Sequence, residues 1–336
     1  MTANPPLKKK DFESDQLVRW CPGCGDYAIL AHVQATFAKL GIPQHDYAVI
    51  AGIGCSSRFP YYMETYGFHT IHGRAPAFAT GLKTTRPELS VWLVTGDGDG
   101  LSIGGNHLIH LFRRNVDINV MLFNNRIYGL TKGQYSPTSE VGKRTKSTPM
   151  GSLDTPFNPL LLALGAGSTY VARSVDVFAA HMKETLEDMP AHAGTSFVEI
   201  YQNCLIFNDK AFENATGKVE RKENVMYLKA GEPLVYGKEH RFGYVLDGLE
   251  LKRIEITDEA QEAGLLKHDP TNKLLATMLA SFDPTKGDPV VIGLFYREDR
   301  VVYDQQFQEQ ADAAVKKLGT GDLRQLIHAG DTWTVR

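Results

Sequence analysis

The sequence predicts an α/β protein built on a doubly wound, mostly parallel sheet. Three observations carry this. Short continuous apolar runs recur along the first two hundred residues, each the length of one strand buried on both faces. Stretches with apolar residues at helical spacing separate them, so strands and helices alternate. Glycine turns and acidic loops follow the strands, at the carboxyl ends where such sheets bind ligands.

Taken in order, residues 1–15 are polar and read as an N-terminal arm. DYAILAHVQATFAKLG (26–41) reads as a helix, with Asp26 as N-cap and Gly41 as stop. YAVIAGIG (47–54) is a buried strand entering a glycine turn, and APAFATGLKTTRP (75–87) a tightly packed small-residue helix. VWLVTGDGDG (91–100) is a strand meeting an acidic glycine loop, followed by a helix over 101–115 and a strand over 117–125. An amphipathic helix is predicted over 174–189 and a strand over 195–204. These elements define a domain over 16–215. Beyond it, 216–336 reads as an extension, with a charged stretch (217–224), a strand or hairpin (243–256), a helix (270–282) and one more strand (290–299). There is no internal repeat and no low-complexity segment.

The 336 residues are 43% hydrophobic and 22% charged, ordinary for a globular protein with a large core. A net charge of −3 gives no electrostatic footprint for nucleic acid and no reason to invoke an anionic membrane. No apolar run approaches the ~20 residues of a membrane-spanning helix. The three lysines at 8–10 are followed by no apolar stretch of the signal-peptide kind. A cytoplasmic protein is expected.

GDGDG (96–100) is followed by NN (124–125), with a helix and a strand between. Mg²⁺ takes six oxygens and commonly shares them with substrate phosphates. Asp97 and Asn125 follow neighbouring strands, which lie about 4.8 Å apart, so a carboxylate and an amide oxygen can reach one ion. Glycines around Asp97 allow close approach of phosphates, and the next helix can offer its N-terminus. An EF-hand is excluded, because Leu101 and Ser102 occupy the positions that need an acidic ligand and a glycine.

There are four cysteines: Cys21, Cys24, Cys55 and Cys204. Cys21 and Cys24 form CPGC, yet KKKDFESDQLVR before them is no core strand, so a thioredoxin-type dithiol does not fit. Cys55 and Cys204 follow strands on the ligand side. Four thiolates suit a [4Fe–4S] cluster or a structural Zn²⁺, and spacing alone does not separate the two.

GDGDG…NN resembles the thiamine-diphosphate signature. GIGCSSRFPYY, HTIHGRAPAFATGLK, GDGDGLSIGGNH and NNRIYGLTKGQ resemble the β subunit of 2-oxoacid:ferredoxin oxidoreductases, of the 2-oxoglutarate type. The resemblance implies a thiamine-diphosphate-binding fold. It places Mg²⁺ on Asp97, Asn125 and the Ile127 carbonyl, with Gly96, Gly98 and Asp99 along the diphosphate. It adds Ile53, Gly54, Cys55, Ser56, His72, Gly129, Leu130 and Thr131 as cofactor-binding residues. It assigns Cys21, Cys24, Cys55 and Cys204 to one [4Fe–4S] cluster.

The implied activity is coenzyme A-dependent oxidative decarboxylation of a 2-oxoacid, with electrons passing to ferredoxin and the reverse, carboxylating direction open. The rest of the thiamine site belongs to a partner α subunit in such enzymes, so a heterotetramer of two α and two β chains is expected. No catalytic acid is assigned in this chain. Arg58, three residues past Cys55, is the candidate for binding the distal carboxylate of 2-oxoglutarate, since a guanidinium pairs a carboxylate through two hydrogen bonds. Pairing with the diphosphate, tuning the cluster or bridging to the α subunit are competing roles. Pyruvate as substrate, an iron-free thiamine decarboxylase or synthase subunit, and a zinc-stabilised interaction subunit are the alternatives. His69 is balanced between a site contact and a structural role. His107 and His110 are expected to pack or lie on the surface, and Tyr61, Tyr62 and Tyr66 to be core or subunit interface.

Overall fold

The computed structural model describes residues 6–335. Alternating strands and helices form one eight-stranded sheet. Its strands are β1 (Tyr47–Ala51), β2 (Tyr66–His69), β3 (Ser90–Gly96), β4 (Asn119–Asn124), β5 (Tyr170–Val175), β6 (Ser196–Tyr201), β7 (Val225–Leu228) and β11 (Val290–Arg297), in the order β2-β1-β3-β4-β6-β5-β11-β7. Neighbours are parallel throughout, except that β11 runs antiparallel to β5. Strands β8 (Val235–Tyr236), β9 (Phe242–Asp247) and β10 (Glu250–Glu255) form a separate antiparallel sheet.

Successive side chains of a strand point to opposite faces, and two helical layers bury them. On one face, Ile50, Leu93 and Leu122 pack with α2 (Ala75–Thr85), α4 (Gly105–Arg114), α5 (Pro159–Gly165) and α10 (Lys273–Ala280). On the other, Val49, Val94 and Met121 pack with α1 (Asp26–Leu40) and α6 (Ala179–Asp188). Phe12 of the arm is buried edge-on against Phe37 and Tyr47. Residues 1–5 of the predicted arm lie outside the described residues.

Several boundaries differ from expectation. Gly25 caps α1, and Asp26 sits inside the first turn instead of capping it; Gly41 ends the helix at φ 69°, as read. The helix expected over 101–115 is α4, which begins only at Gly105, and the acidic loop before it is itself a short helix, α3 (Asp97–Leu101). The amphipathic stretch 174–189 opens as the end of β5 before α6 begins. The 243–256 hairpin is β9–β10, and the last predicted strand, β11, joins the main sheet. The C-terminal segment further contains α7 (Glu213–Thr216), α8 (Glu220–Asn224), α9 (Glu259–Ala263), α11 (Tyr303–Leu318) and α12 (Leu323–Ile327). Among the described residues no helix is long and apolar enough to cross a membrane.

Candidate active site

β3 and β4 pair in parallel with Gly96 opposite Phe123, so the residues after them emerge side by side. Asp97 opens α3 and is buried. Its Oδ2 accepts hydrogen bonds from Ser136 Oγ (2.6 Å) and Thr138 Oγ1 (2.5 Å). Burial pushes its carboxyl up, against the pull of these hydroxyls. After β4, Asn125 Oδ1 accepts from Ile127 N (3.1 Å) and its Nδ2 donates to Gln202 Oε1 (2.9 Å). Arg126 between them is left-handed, at φ 55°. A Cβ on Gly98 would lie 2.1 Å from the Tyr128 ring, whose hydroxyl donates to the Gly98 carbonyl (2.9 Å), so only glycine fits this turn.

Asp99 is buried and fully used. Oδ1 accepts from Ile53 N (3.0 Å), Gly73 N (2.7 Å) and His72 Nδ1 (2.5 Å), and Oδ2 from Thr95 Oγ1 (2.7 Å). Its carboxylate therefore buckles the β1 turn, the turn before α2 and the end of β3 together. With both oxygens engaged by donors of the fold, its role here is structural, and a carboxylate turned on a diphosphate would repel it.

One cavity of about 120 Å³ gathers this region. Ile53, Gly54, Cys55, Ser56, His72, Gly96, Asp97, Gly98, Asp99, Asn125, Ile127, Gly129, Leu130 and Thr131 all line it. Asp26, Phe123 and Tyr128 line it too and were not read from the sequence. Neither Asp26 oxygen has an N–H or O–H partner, and burial raises its carboxyl to about 7 against the pull of the neighbouring Cys24 thiol. Its position at the start of an amphipathic helix had suggested only a cap.

The four cysteines, all free, line a second cavity of about 170 Å³. Cys21 is exposed and the others are half-buried. The Trp20 indole donates to the Cys55 carbonyl (2.7 Å), and Gln202 Nε2 donates to Cys24 Sγ (3.3 Å). Burial pushes the Cys55 thiol up to about 12 and also raises Cys24 and Cys204. The cavity wall holds three cations, Arg19, Arg58 and Lys132, and no acid. Cys55, Asn125, Gly129 and Leu130 belong to both cavities.

The residues fit the implied groups unequally. Asp97, Asn125 and the Ile127 carbonyl supply hard oxygens beside a glycine turn, as Mg²⁺–diphosphate requires. Among the described residues no three His, Cys, Asp or Glu side chains are arranged to hold a metal ion. Zn²⁺ would need all four sulfurs about 2.3 Å from one centre. A [4Fe–4S] cluster binds each thiolate to a different iron and so holds the sulfurs farther apart. A Cβ on Gly129 would stand 3.5 Å from Cys204 Sγ and 3.6 Å from Cys55 Sγ, so both sulfurs lie against this backbone.

Arg58 lines the cysteine cavity and not the cavity around Asp97; Nη1 donates to the Arg19 carbonyl (3.2 Å), and its charge pulls the Cys55 thiol down against the larger upward push of burial. His69 Nδ1 pairs with the Tyr61 hydroxyl (3.0 Å), away from the cavity walls. Tyr62 is buried, whereas Tyr61 and Tyr66 are exposed. His107 and His110 lie on α4 and line neither cavity. Ser136 and Thr138, which hold Asp97, carried no signal in the sequence: they sit in a long irregular segment and contact α3 only through the fold.

Residues 52–200 match the thiamine pyrophosphate enzyme family at its C-terminal TPP-binding domain. The chain is 51% identical over 338 residues to the 2-oxoglutarate oxidoreductase subunit KorB of Mycobacterium tuberculosis, covering 99% of this chain and 90% of that protein. It is 46% identical over 190 residues to the β subunit of 2-oxoacid:ferredoxin oxidoreductase 1 of Aeropyrum pernix, covering 56% of this chain and 60% of that one. Among solved structures, the 2-oxoglutarate:ferredoxin oxidoreductase from Magnetococcus marinus, with 2-oxoglutarate, coenzyme A and succinyl-CoA bound, matches with a TM-score of 0.75 and 34% identity over 97% of each chain. With a thiamine-type sheet, its glycine–acid turn and four cysteines around one cavity, this chain belongs to the family of 2-oxoacid:ferredoxin oxidoreductase β subunits, within the KorB group.

Proposed function

We propose that the chain carries Mg²⁺–thiamine diphosphate and one [4Fe–4S] cluster in a cytoplasmic enzyme that oxidises 2-oxoglutarate with coenzyme A to succinyl-CoA and CO₂, and that can run toward carboxylation. The observation that carries this is the shared wall: Cys55, Asn125, Gly129 and Leu130 line both cavities. When bound, thiamine diphosphate supplies a carbon nucleophile and electron sink for decarboxylation, and an iron–sulfur cluster takes the electrons singly.

The chain's own part is to hold and insulate. Asp97, Asn125 and the Ile127 carbonyl hold the cation, and the Gly96–Gly98 backbone admits the diphosphate. His72, locked by Asp99, lines the cavity with its ring orientation fixed. Cys21, Cys24, Cys55 and Cys204 hold the cluster. Arg58 sits among these cysteines, so its role in this reading is to offset thiolate charge rather than to bind the substrate's distal carboxylate. The choice of 2-oxoglutarate then rests on the relatives.

An α partner is supported by exposed apolar side chains at the cavity mouth, Ile53 and Leu130, and nearby Ile71 and Ile103. The acid-free cationic wall around exposed Cys21 suits an acidic carrier such as ferredoxin. The test is anaerobic purification together with the α subunit, followed by iron, sulfide and thiamine analysis and 2-oxoglutarate-dependent ferredoxin reduction. The expected composition is four iron and four sulfide per chain, as the cluster formula dictates. Stoichiometric zinc, or thiamine without iron, refutes the reading.

A further inference from the structure

The irregular chain after β4 returns across the ends of β3 and β4 and places three hydroxyls there. Ser136 and Thr138 both bond Asp97 Oδ2, and among the described residues no side-chain donor takes Oδ1. Thr138 Oγ1 is also 2.9 Å from Asn124 Oδ1. Ser139 Oγ donates to the Arg126 carbonyl (2.6 Å), and its oxygen accepts from Ser136 N (2.8 Å). Asn208 Nδ2 braces the same turn through the carbonyls of Asn125 (2.9 Å) and Arg126 (3.2 Å). Ser136, Thr138, Ser139 and Asn208 are all buried. The left-handed Arg126 is thus held from two sides.

We infer that Ser136 and Thr138 are positioning residues for the cation site: by engaging Oδ2 they fix the orientation of the Asp97 carboxylate that would hold the ion, while the same segment fixes the Asn124–Ile127 turn that would bring the other ligands. This rests on the proposed Mg²⁺–diphosphate reading. The physical reason is that a buried carboxylate held through Oδ2 by two hydroxyls and braced by the backbone N–H groups of Asp97 and Gly98 is fixed in orientation before an ion arrives. Hydroxyls suit the task, because a charged donor there would compete with the ion for the carboxylate.

The test uses the αβ enzyme with Thr138→Val, Ser136→Ala, and both together. The readout is Mg²⁺ titration of thiamine-diphosphate binding by calorimetry. Partners of metal ligands typically contribute 10- to 100-fold in metal affinity, so each single variant should raise the apparent Mg²⁺ dissociation constant by roughly that factor. Binding should return at saturating Mg²⁺, and the visible spectrum of the cluster should not change. Thr138→Ser keeps the hydroxyl and should restore wild-type affinity, which a purely steric role would not produce. If wild type itself binds thiamine diphosphate without need of Mg²⁺, the parent reading fails. If wild type needs Mg²⁺ but Thr138→Val titrates identically, the inference about the hydroxyls is overturned. Failure of Thr138→Ser to rescue overturns it equally.

Discussion

Asp99 ties three separate chain segments together, so its removal has a calculable consequence. In Asp99→Ala the N–H groups of Ile53 and Gly73 and the His72 ring lose their acceptor. Each buried donor left unsatisfied costs about 1–3 kcal/mol. Of these the Gly73 N–H is buried and bears that cost in full, whereas Ile53 and His72 are partly exposed and recover part of it from water, so the whole suggests roughly 2–4 kcal/mol. Asp99→Asn should cost less. Its amide oxygen can keep the three bonds at the Oδ1 position, and its NH₂ can face Thr95, whose hydroxyl rotates to accept. What remains is the lost charge assistance, on the order of 1–2 kcal/mol in all because two of the three donors are partly exposed. Gly52 provides an independent check: a Cβ there would lie 1.9 Å from Asp99 Oδ2. Gly52→Ala should destabilise wild type strongly but add little on top of Asp99→Ala. Urea unfolding monitored by circular dichroism would rank the variants. If Asp99→Ala unfolds within ~0.5 kcal/mol of wild type, or if the Gly52 and Asp99 effects simply add, the buckle is not the determinant claimed.

Four further outcomes are expected. Cys204→Ala should lose the brown chromophore and its iron; unchanged iron and sulfide would remove Cys204 from the ligand set. Arg58→Leu should lower kcat/KM for all 2-oxoacids by the same factor, because Arg58 stands with the cysteines; a loss of roughly 10- to 150-fold confined to 2-oxoglutarate would return Arg58 to the distal carboxylate. Glu199→Gln leaves buried Arg173, 2.7 Å away, without its counter-charge, and should cost about 3–5 kcal/mol by thermal or urea unfolding; a neutral effect would mean that Arg173 finds another anion. Buried His268 donates from Nε2 to the Leu294 carbonyl (2.7 Å), leaves Nδ1 without a partner, and has its pKa lowered by burial. The unfolded chain therefore takes up this proton first, and stability drops as pH falls below 6.5 until the lowered native value is reached. His268→Gln should make that fall shallower by up to about 1.4 kcal/mol per pH unit, and an unchanged slope between pH 8 and 5.5 would rule the histidine out.

Much of this was legible because strand cores and glycine turns are local signals. The apolar runs at 47–54, 91–96 and 117–125 became β1, β3 and β4 within a few residues, since each is buried on both faces and admits no other period. β2, with all four residues exposed, has no apolar pattern to read. β5 was hidden because YVARSV carries Arg173, a charge tolerated only through Glu199 on the neighbouring strand. The Asp26 cap failed for a similar reason: Gly25 is forced by tertiary packing, a Cβ there lying 1.9 Å from Asp176 Oδ2, and the carboxylate shifts one position into the helix. The proposed pocket residues are adjacent to motifs and so were readable. Ser136, Thr138 and Asn208 act through the fold across long irregular stretches, where no periodicity marks them.

The placement of the cysteines follows from strand order. Cys55 comes off β1 and Cys204 off β6, and β3 and β4 lie between these strands in the sheet. At about 4.8 Å per step, their strand ends are some 14 Å apart. The loops must lean inward to bring both sulfurs to Gly129, at 3.5 and 3.6 Å from the point its Cβ would occupy. Gly129 belongs to the chain leaving β4, and beneath it lie the ends of β3 and β4 with Asp97 and Asn125. A cysteine site assembled from β1 and β6 is therefore forced to roof the glycine–acid turn. Cys21 and Cys24 reach the same cavity from the start of α1, whose Gly25 N–H donates to the Asn203 carbonyl beside Cys204 (3.2 Å). Adjacency of the two cavities is thus a property of the topology, and it sets the proposed electron donor and acceptor side by side across a wall that Cys55, Asn125, Gly129 and Leu130 share.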